Sequence, residues 1–180
     1  GKIVYTQFLN SRGGIEADVT VTRLSETAYL VVTPAITRLA DETWMRRLVG
    51  DFNVVITDVT AGEGVLAVMG PKARELMQMV SPNDFSNAVN PFGTAQEIEL
   101  GYGLARAHRV SYVGELGWEI YMSTDMAGHA FEVLHAAGQE LGMKLCGMHV
   151  MDCCRIEKAF RHFGHDISSE DHVLEAGLGF

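Results

Sequence analysis

The chain of 180 residues carries 23 acidic and 14 basic residues, a formal net charge of −9, and 47% of its residues are hydrophobic. This composition is typical of a globular protein that is long enough for one sizeable core or two small ones. The acidic balance argues against sequence-independent binding to nucleic acid, which depends on Lys and Arg. No apolar run reaches the roughly 18 residues that a membrane helix requires, so no membrane partner is predicted.

The three cysteines are Cys146 and the vicinal pair Cys153 and Cys154. An odd number without CxxC spacing favours a reducing compartment over a disulfide scaffold. The chain starts without Met, and its last residues, LEAGLGF, look ready to continue. We therefore expect residues 1–180 to be a module excised from a longer protein.

The first third of the chain predicts three strands and a helix. Residues 3–9 and 15–24 are rich in β-branched and aromatic residues, and the segment NSRGG between them is typical of a hairpin turn. A third strand is predicted over 28–33. Pro34 in the first helical position, after Thr33 as N-cap, predicts a helix. Its apolar face is predicted to contain Ile36, Ala40, Trp44 and Leu48.

The middle of the chain predicts two further strands, a helix and a loop. Residues 53–59 and 64–70 have strand composition, and Pro71 is placed to begin a helix. Residues 81–93, with two prolines and three asparagines, predict a loop. The helix that begins at Pro71 is predicted to bury Ala73, Leu76, Met77 and Val80.

The last part predicts antiparallel strands and two helices. Strands are expected within 94–122, a helix over 125–141 with Gly142 as its C-cap, and a final helix over 149–163. The whole order predicts an α+β fold with antiparallel sheets and helices on one face. The final helix is predicted to bury Cys153, Ile156, Phe160 and Phe163.

Glu119 lies between a tryptophan and an isoleucine in the stretch YVGELGWEIYM. Side chains alternate along a strand, so Glu119 and Tyr121 face away from Trp118 and Ile120. The simplest interpretation is an exposed acid on a strand, since Glu is seldom buried without a partner. The functional interpretation is a rigidly held carboxylate whose two oxygens accept two parallel N–H donors from a planar ligand. Tyr112 would then add an aromatic wall or a hydroxyl.

A second acid is out of place in the segment GGIEADVTV. Asp18 and Glu16 are predicted to share one face of a strand, and Asp is depleted in strand interiors. A residue that breaks a local preference is a candidate functional position. The alternative, an acid that caps a turn or faces solvent on an edge strand, stays open.

Two pairs of residues raise the possibility of a metal site. His149 and Cys153 are four residues apart, and His162 and His165 are three apart. No third and fourth ligands follow at a recognised zinc spacing, and Cys153 is assigned to the core face of its helix. We therefore predict no metal site.

Six segments, in register along nearly the whole chain, resemble the aminomethyltransferase family. This family contains the T-protein of the glycine cleavage system and the folate-binding half of dimethylglycine and sarcosine dehydrogenases or oxidases. The dehydrogenase and oxidase branch, rather than the T-protein, is favoured by the segments SYVGELGWEIY and RIEKAFRHFGHD. It is also favoured by Met151, which stands where T-proteins usually carry Arg. The segments are GGIEADVTVTRL, YLVVT, GVLAVMGPKAREL, VSYVGELGWEIYM, MDCCRIEKAFRHFGHD and LEAGLGF.

The resemblance implies a duplicated, strand-swapped α+β domain with a channel that binds tetrahydrofolate. Residues 1–180 would be the central part of this domain. Glu119 matches the residue that grips the pterin ring, and Tyr112 matches a tyrosine near the folate. Asp18 matches the acid beside the reactive folate nitrogens, and this match makes it the candidate catalytic residue.

The resemblance also implies partners and a reaction. A module carrying FAD, outside this chain, would oxidise an N-methyl amine such as dimethylglycine or sarcosine, and the one-carbon unit would form 5,10-methylenetetrahydrofolate. The flavin domain and a C-terminal β-barrel would belong to the same polypeptide, in the bacterial cytoplasm or the mitochondrial matrix. The alternatives are a non-catalytic module that keeps the fold for ligand sensing or subunit contact, and a stand-alone glycine cleavage aminomethyltransferase.

Overall fold

The computed structural model describes residues 1–180 and divides into two compact units, each built from two separate parts of the chain. The first unit contains Gly1–Lys2 and Val59–Phe160, and the second contains Ile3–Asp58 and Arg161–Phe180. Both contain an antiparallel sheet and at least one helix, so the fold is α+β, as predicted.

A three-stranded antiparallel sheet in the order β1-β2-β3 forms the centre of the second unit. Its strands are β1 (Ile3–Leu9), β2 (Ile15–Arg23) and β3 (Tyr29–Val32), which confirms the three predicted strands. Gly13 in the first turn has a φ of 83°, a conformation that favours glycine. A small core covers one face of β2, where Ile15 packs with Ile167 and Ala176 of the last segment.

A four-stranded antiparallel sheet in the order β4-β7-β6-β5 forms the first unit. The strands are β4 (Glu63–Met69), β5 (Ala95–Leu100), β6 (Gly103–His108) and β7 (Gly117–Ser123). No regular element interrupts residues 81–93, as predicted for a loop.

Two helices of the first unit, α2 (Ala73–Val80) and α3 (Ala127–Glu140), contribute to its main core. Trp118 is at the centre with 0% exposure; its indole N–H donates to Asn90, and its ring meets Phe85 edge to face. Gly142 has a φ of 75°, which agrees with the C-cap predicted for α3. The core therefore occupies one face of the sheet.

Helix α1 (Arg38–Leu48) belongs to the second unit, and its predicted inward face is wrong. The helix begins four residues after Pro34, Ile36 is 89% exposed, and Leu48 is also exposed. The buried residue is Asp41, whose carboxylate accepts hydrogen bonds from the hydroxyls of Thr33 and Thr37. Two hydroxyl donors, four and eight residues earlier in the chain, satisfy this buried acid, an arrangement that apolar spacing does not reveal.

The strand predicted over 53–59 is also wrong. This segment has no regular structure, and Val55 is 88% exposed. β-branched composition favours a strand only when a neighbouring strand is available for pairing, and this segment pairs with none.

The final helix, α4 (Met148–Glu157), is shorter than predicted and buries a different face. Cys153 and Ile156 are exposed, whereas Arg155 is buried and donates to Asp152 and to the carbonyl of Phe160. The helix ends because Ala159 adopts a φ of 56°. Glycine normally signals such a terminus, and this sequence has none there.

Candidate functional site

Glu119 lies on β7, on the face of the four-stranded sheet that is opposite the main core. Its neighbours in the strand, Trp118 and Ile120, are completely buried in that core. Glu119 itself is half-buried, and in the sheet it lies directly opposite Ala67 of β4 and His108 of β6. The alternation predicted from the sequence is confirmed, and it removes this carboxylate from the core.

A tyrosine two residues further along the strand holds the Glu119 carboxylate. The Tyr121 hydroxyl donates a hydrogen bond of 2.6 Å to Oε2 of Glu119, and the Tyr121 side chain is buried. Burial and the charge of Glu119 both raise the pKa of Tyr121, so the phenol stays protonated and remains a donor.

His108 is adjacent to this pair. Its ring is 4.3 Å from the Tyr121 ring between centroids, with a tilt of 34°, and the residue is 1% exposed. Burial, together with the positive charge of Arg106, lowers the pKa of His108 from 6.5 to about 4. At neutral pH the imidazole is uncharged and provides no cation for Glu119.

The nearby arginine on the same sheet face is already paired. Arg106 Nη2 lies 2.9 Å and 3.0 Å from the two carboxylate oxygens of Glu63. Glu119 forms no ion pair with any Lys, Arg or His. A half-buried carboxylate whose partner is a neutral hydroxyl can accept further hydrogen bonds from a ligand.

Tyr112 lies in the loop between β6 and β7, in the same unit as Glu119. Its ring stacks on Phe160 at 6.5 Å between centroids, with an angle of 18° between the planes. The Ser111 hydroxyl accepts N–H groups from Val113 and Glu115 and so shapes the loop. A surface depression of about 360 Å³ is lined by this loop, by Arg109 and by Phe160. Tyr112 and Glu119 are not among its lining residues.

Asp18 lies on β2 in the second unit, with Gln7 of β1 directly opposite in the sheet. Gln7 Nε2 donates to Oδ1 of Asp18 over 2.8 Å. Burial raises the pKa of the Asp18 carboxyl above 3.8, although hydrogen bonds from Gln7 and Tyr5 and the charge of His162 oppose the increase. Burial favours the protonated form of this carboxyl, whereas the two hydrogen bonds and the charge of His162 favour its ionised form.

The sequence analysis did not identify His108, Gln7 or Phe160 as members of these clusters. Tyr121 was placed on the face of Glu119 by strand alternation, but its hydrogen bond was not predicted. Gln7 and His108 reach their partners through strand register, and Phe160 reaches Tyr112 through ring stacking. The acidic, Cys and His side chains form no group of three or more that could hold a metal ion.

The buried, neutral state of His108 predicts a loss of stability in acid. The unfolded chain binds a proton near pH 6.5, whereas the folded chain binds it near pH 4. The free energy of unfolding should therefore fall as pH decreases from 6.5 to 4, by about 3 kcal/mol in total.

Urea unfolding at pH 7 and at pH 4.5 measures this loss. His108→Gln should remove most of it, whereas replacement of the partly exposed His129 by Gln should leave it in place. An equal pH dependence in wild type and His108→Gln would contradict the assignment of a buried neutral imidazole.

The family follows from the comparison of the complete sequence with known families. A sequence model of the GCVT N-terminal domain matches residues 1–180. The chain belongs to the GCVT N-terminal domain family. The resemblance inferred from the six segments is thus confirmed, and the fold agrees with a solved member. The glycine cleavage system aminomethyltransferase T from Bartonella henselae aligns with a TM-score of 0.82 and 25% identity, over 99% of this chain and 46% of that one.

Curated relatives of this GCVT N-terminal domain are enzymes. The chain is 45% identical, over 99% of its length, to 4-methylaminobutanoate oxidase (formaldehyde-forming) of Paenarthrobacter nicotinovorans. It is 35% identical over 100% of its length to mitochondrial sarcosine dehydrogenase of Mus musculus, and 32% identical over 100% to an aminomethyltransferase of Symbiobacterium thermophilum. The chain spans only part of the length of these relatives: 22% of the oxidase, 21% of the dehydrogenase and 49% of the aminomethyltransferase. None of its helices is both long and apolar enough to cross a membrane.

Proposed function

We propose that this GCVT N-terminal domain binds tetrahydrofolate in a flavin-dependent enzyme that oxidises N-methyl amines and forms 5,10-methylenetetrahydrofolate. Three relatives are named for 4-methylaminobutanoate, sarcosine and dimethylglycine, all of which are N-methylated amino acids. The amine substrate proposed here is of that class. Residues 1–180 are proposed to be the central part of the folate domain, with the flavin module and a C-terminal barrel elsewhere in the same polypeptide.

The state of Glu119 is the observation that carries the folate assignment. Its half-buried carboxylate is oriented by Tyr121, while the nearby Arg106 is paired with Glu63 and His108 is neutral. The pterin ring presents a 2-amino group beside a ring N–H, so it offers two parallel donors. This donor pair matches the two oxygens of one carboxylate, which supports binding of the ring edge at Glu119.

Tyr112 and Asp18 are assigned separate roles in this proposal. Tyr112 already stacks on Phe160, and a rigid aromatic surface of this kind favours a flat ligand. Asp18, with its pKa raised by burial, accepts a proton from the reacting folate nitrogen or stabilises positive charge there. FAD, when bound in its own module, supplies the oxidation of the amine.

Anaerobic calorimetric titration of tetrahydrofolate into the full-length protein tests the proposal. We expect saturable one-to-one binding, and competition by folate analogues that retain the 2-amino group and ring N–H. Pterin analogues without the 2-amino group should bind more weakly, because Glu119 loses one donor. Absence of binding by the intact enzyme would contradict the proposal and favour a domain that keeps the fold without this ligand.

A second candidate function comes from the relative with 45% identity, whose name describes it as formaldehyde-forming. In that case the oxidised amine reacts with water, and formaldehyde and the demethylated amine are released. Product analysis with and without tetrahydrofolate separates the two candidates. Methylenetetrahydrofolate as the product supports the first, and formaldehyde at the same yield in both conditions supports the second.

A further inference from the structure

The contact between Tyr121 and Glu119 bears on how a ligand is recognised. The hydroxyl donates to Oε2 over 2.6 Å, and the two residues share the outer face of β7. A half-buried glutamate side chain still has several rotamers available to it. A short hydrogen bond from a buried donor selects one of them.

The number of acceptor positions on the carboxylate decides whether this contact competes with a ligand. An ionised carboxylate has about four lone-pair positions, two on each oxygen, and the tyrosine uses one of them. One position on Oε2 and both positions on Oε1 remain. The hydrogen bond therefore orients the carboxylate and still leaves both oxygens able to accept N–H donors.

Residues of the adjacent strand β6 fix the position of Tyr121. Arg106 lies directly opposite Tyr121 in the sheet, and the ring of His108, two residues further along β6, packs against the Tyr121 ring at 4.3 Å between centroids. Both aromatic residues are buried, at 4% and 1% exposure. The phenol cannot move aside without breaking this packing, so the orientation of Glu119 is determined by buried residues.

We propose that Tyr121 is the positioning residue for Glu119, with the buried ring of His108 as its support, and that this arrangement prepares the carboxylate for a flat donor edge before the ligand arrives. The inference rests on the proposed function for the ligand, but the contact itself can be tested without one. Preorganisation of this kind improves affinity, because the ordering of the side chain is completed in the free protein.

Tyr121→Phe in the full-length protein removes the hydroxyl and keeps the ring. We expect the KM for tetrahydrofolate to rise about tenfold while kcat at saturating folate stays near the wild-type value. Tyr102→Phe is the matched control, since Tyr102 is exposed in the turn between β5 and β6. It should leave both constants unchanged. A KM ratio does not depend on the folded fraction, so partial misfolding does not imitate the result.

A second measurement needs no folate. In ligand-free protein labelled with ¹³C at the Glu carboxyl carbons, the Glu119 signal should shift in Tyr121→Phe and stay in place in Tyr102→Phe. When Tyr121→Phe is added to Glu119→Gln, the KM for tetrahydrofolate should rise by much less than tenfold, because the two residues act together.

These measurements separate failure of the inference from failure of the proposed function. An unshifted Glu119 signal, or an unchanged KM in Tyr121→Phe with KM strongly raised in Glu119→Gln, would overturn the positioning role alone. A wild-type enzyme that ignores tetrahydrofolate would refute the folate assignment and with it the role of Tyr121 in folate binding. The carboxyl signal would still show whether the hydroxyl holds Glu119.

Discussion

Replacing Glu119 by Gln in the full-length protein is expected to weaken tetrahydrofolate binding about 100-fold, since each hydrogen bond to a charged group contributes about 1.5–3 kcal/mol. The amide keeps one oxygen that can accept the Tyr121 hydroxyl, so the local packing is preserved. Its NH₂ group, however, faces one of the two donors of the ligand. The dissociation constant from calorimetry measures the loss.

Glu115→Gln is the matched control for this prediction. Glu115 is four residues earlier, is exposed in the loop before β7, and forms no ion pair. The same change of charge at that position should leave the dissociation constant within about twofold of wild type. Equal losses for the two variants would mean that net charge, and not recognition by Glu119, determines the affinity.

Replacing Asp18 by Asn is expected to separate amine oxidation from one-carbon transfer. Loss of the proton acceptor should reduce formation of 5,10-methylenetetrahydrofolate by about 10²–10⁴-fold, the range typical of a positioned acid or base. Amine oxidation should continue at the wild-type rate, because flavin is proposed to act in another module. The oxidised amine should then react with water and appear as formaldehyde.

Glu16→Gln provides the comparison for Asp18. Glu16 shares the outward face of β2 and accepts a hydrogen bond from Asn10. It should retain the wild-type ratio of methylenetetrahydrofolate to formaldehyde, measured by stopped assays of both products. An unchanged ratio in Asp18→Asn would refute the proposed role of Asp18 and would point to a transfer that relies on ligand positioning alone.

The elements predicted correctly are those in which the signal is local. The strands β1, β2 and β3 were predicted from β-branched runs and a glycine-containing turn, and α2 and α3 from apolar spacing. The outward positions of Asp18 and Glu119 follow from the same kind of signal, because alternation is a property of a single extended strand. The family resemblance assigned roles to both acids; those roles stay predictions.

The helices α1 and α4 show where local signals fail. Their apolar spacing predicted buried faces, yet Asp41 and Arg155 are the buried residues. Each is satisfied by side-chain or carbonyl partners that fold back on it, so its burial is compensated. Spacing of apolar residues contains no information about such partners.

The sequence by itself determined that two acids lie on the polar faces of two strands, since the direction of a side chain in a strand depends only on whether its position is odd or even. The tertiary structure alone decided the chemical state of the neighbours of Glu119. Pairing of β7 with β6 places the His108 ring against Tyr121, and Arg106 forms an ion pair with Glu63 of β4. Side-chain alternation still allows registers that differ by two residues, and the long loop over 109–116 between β6 and β7 does not choose among them as a tight turn would.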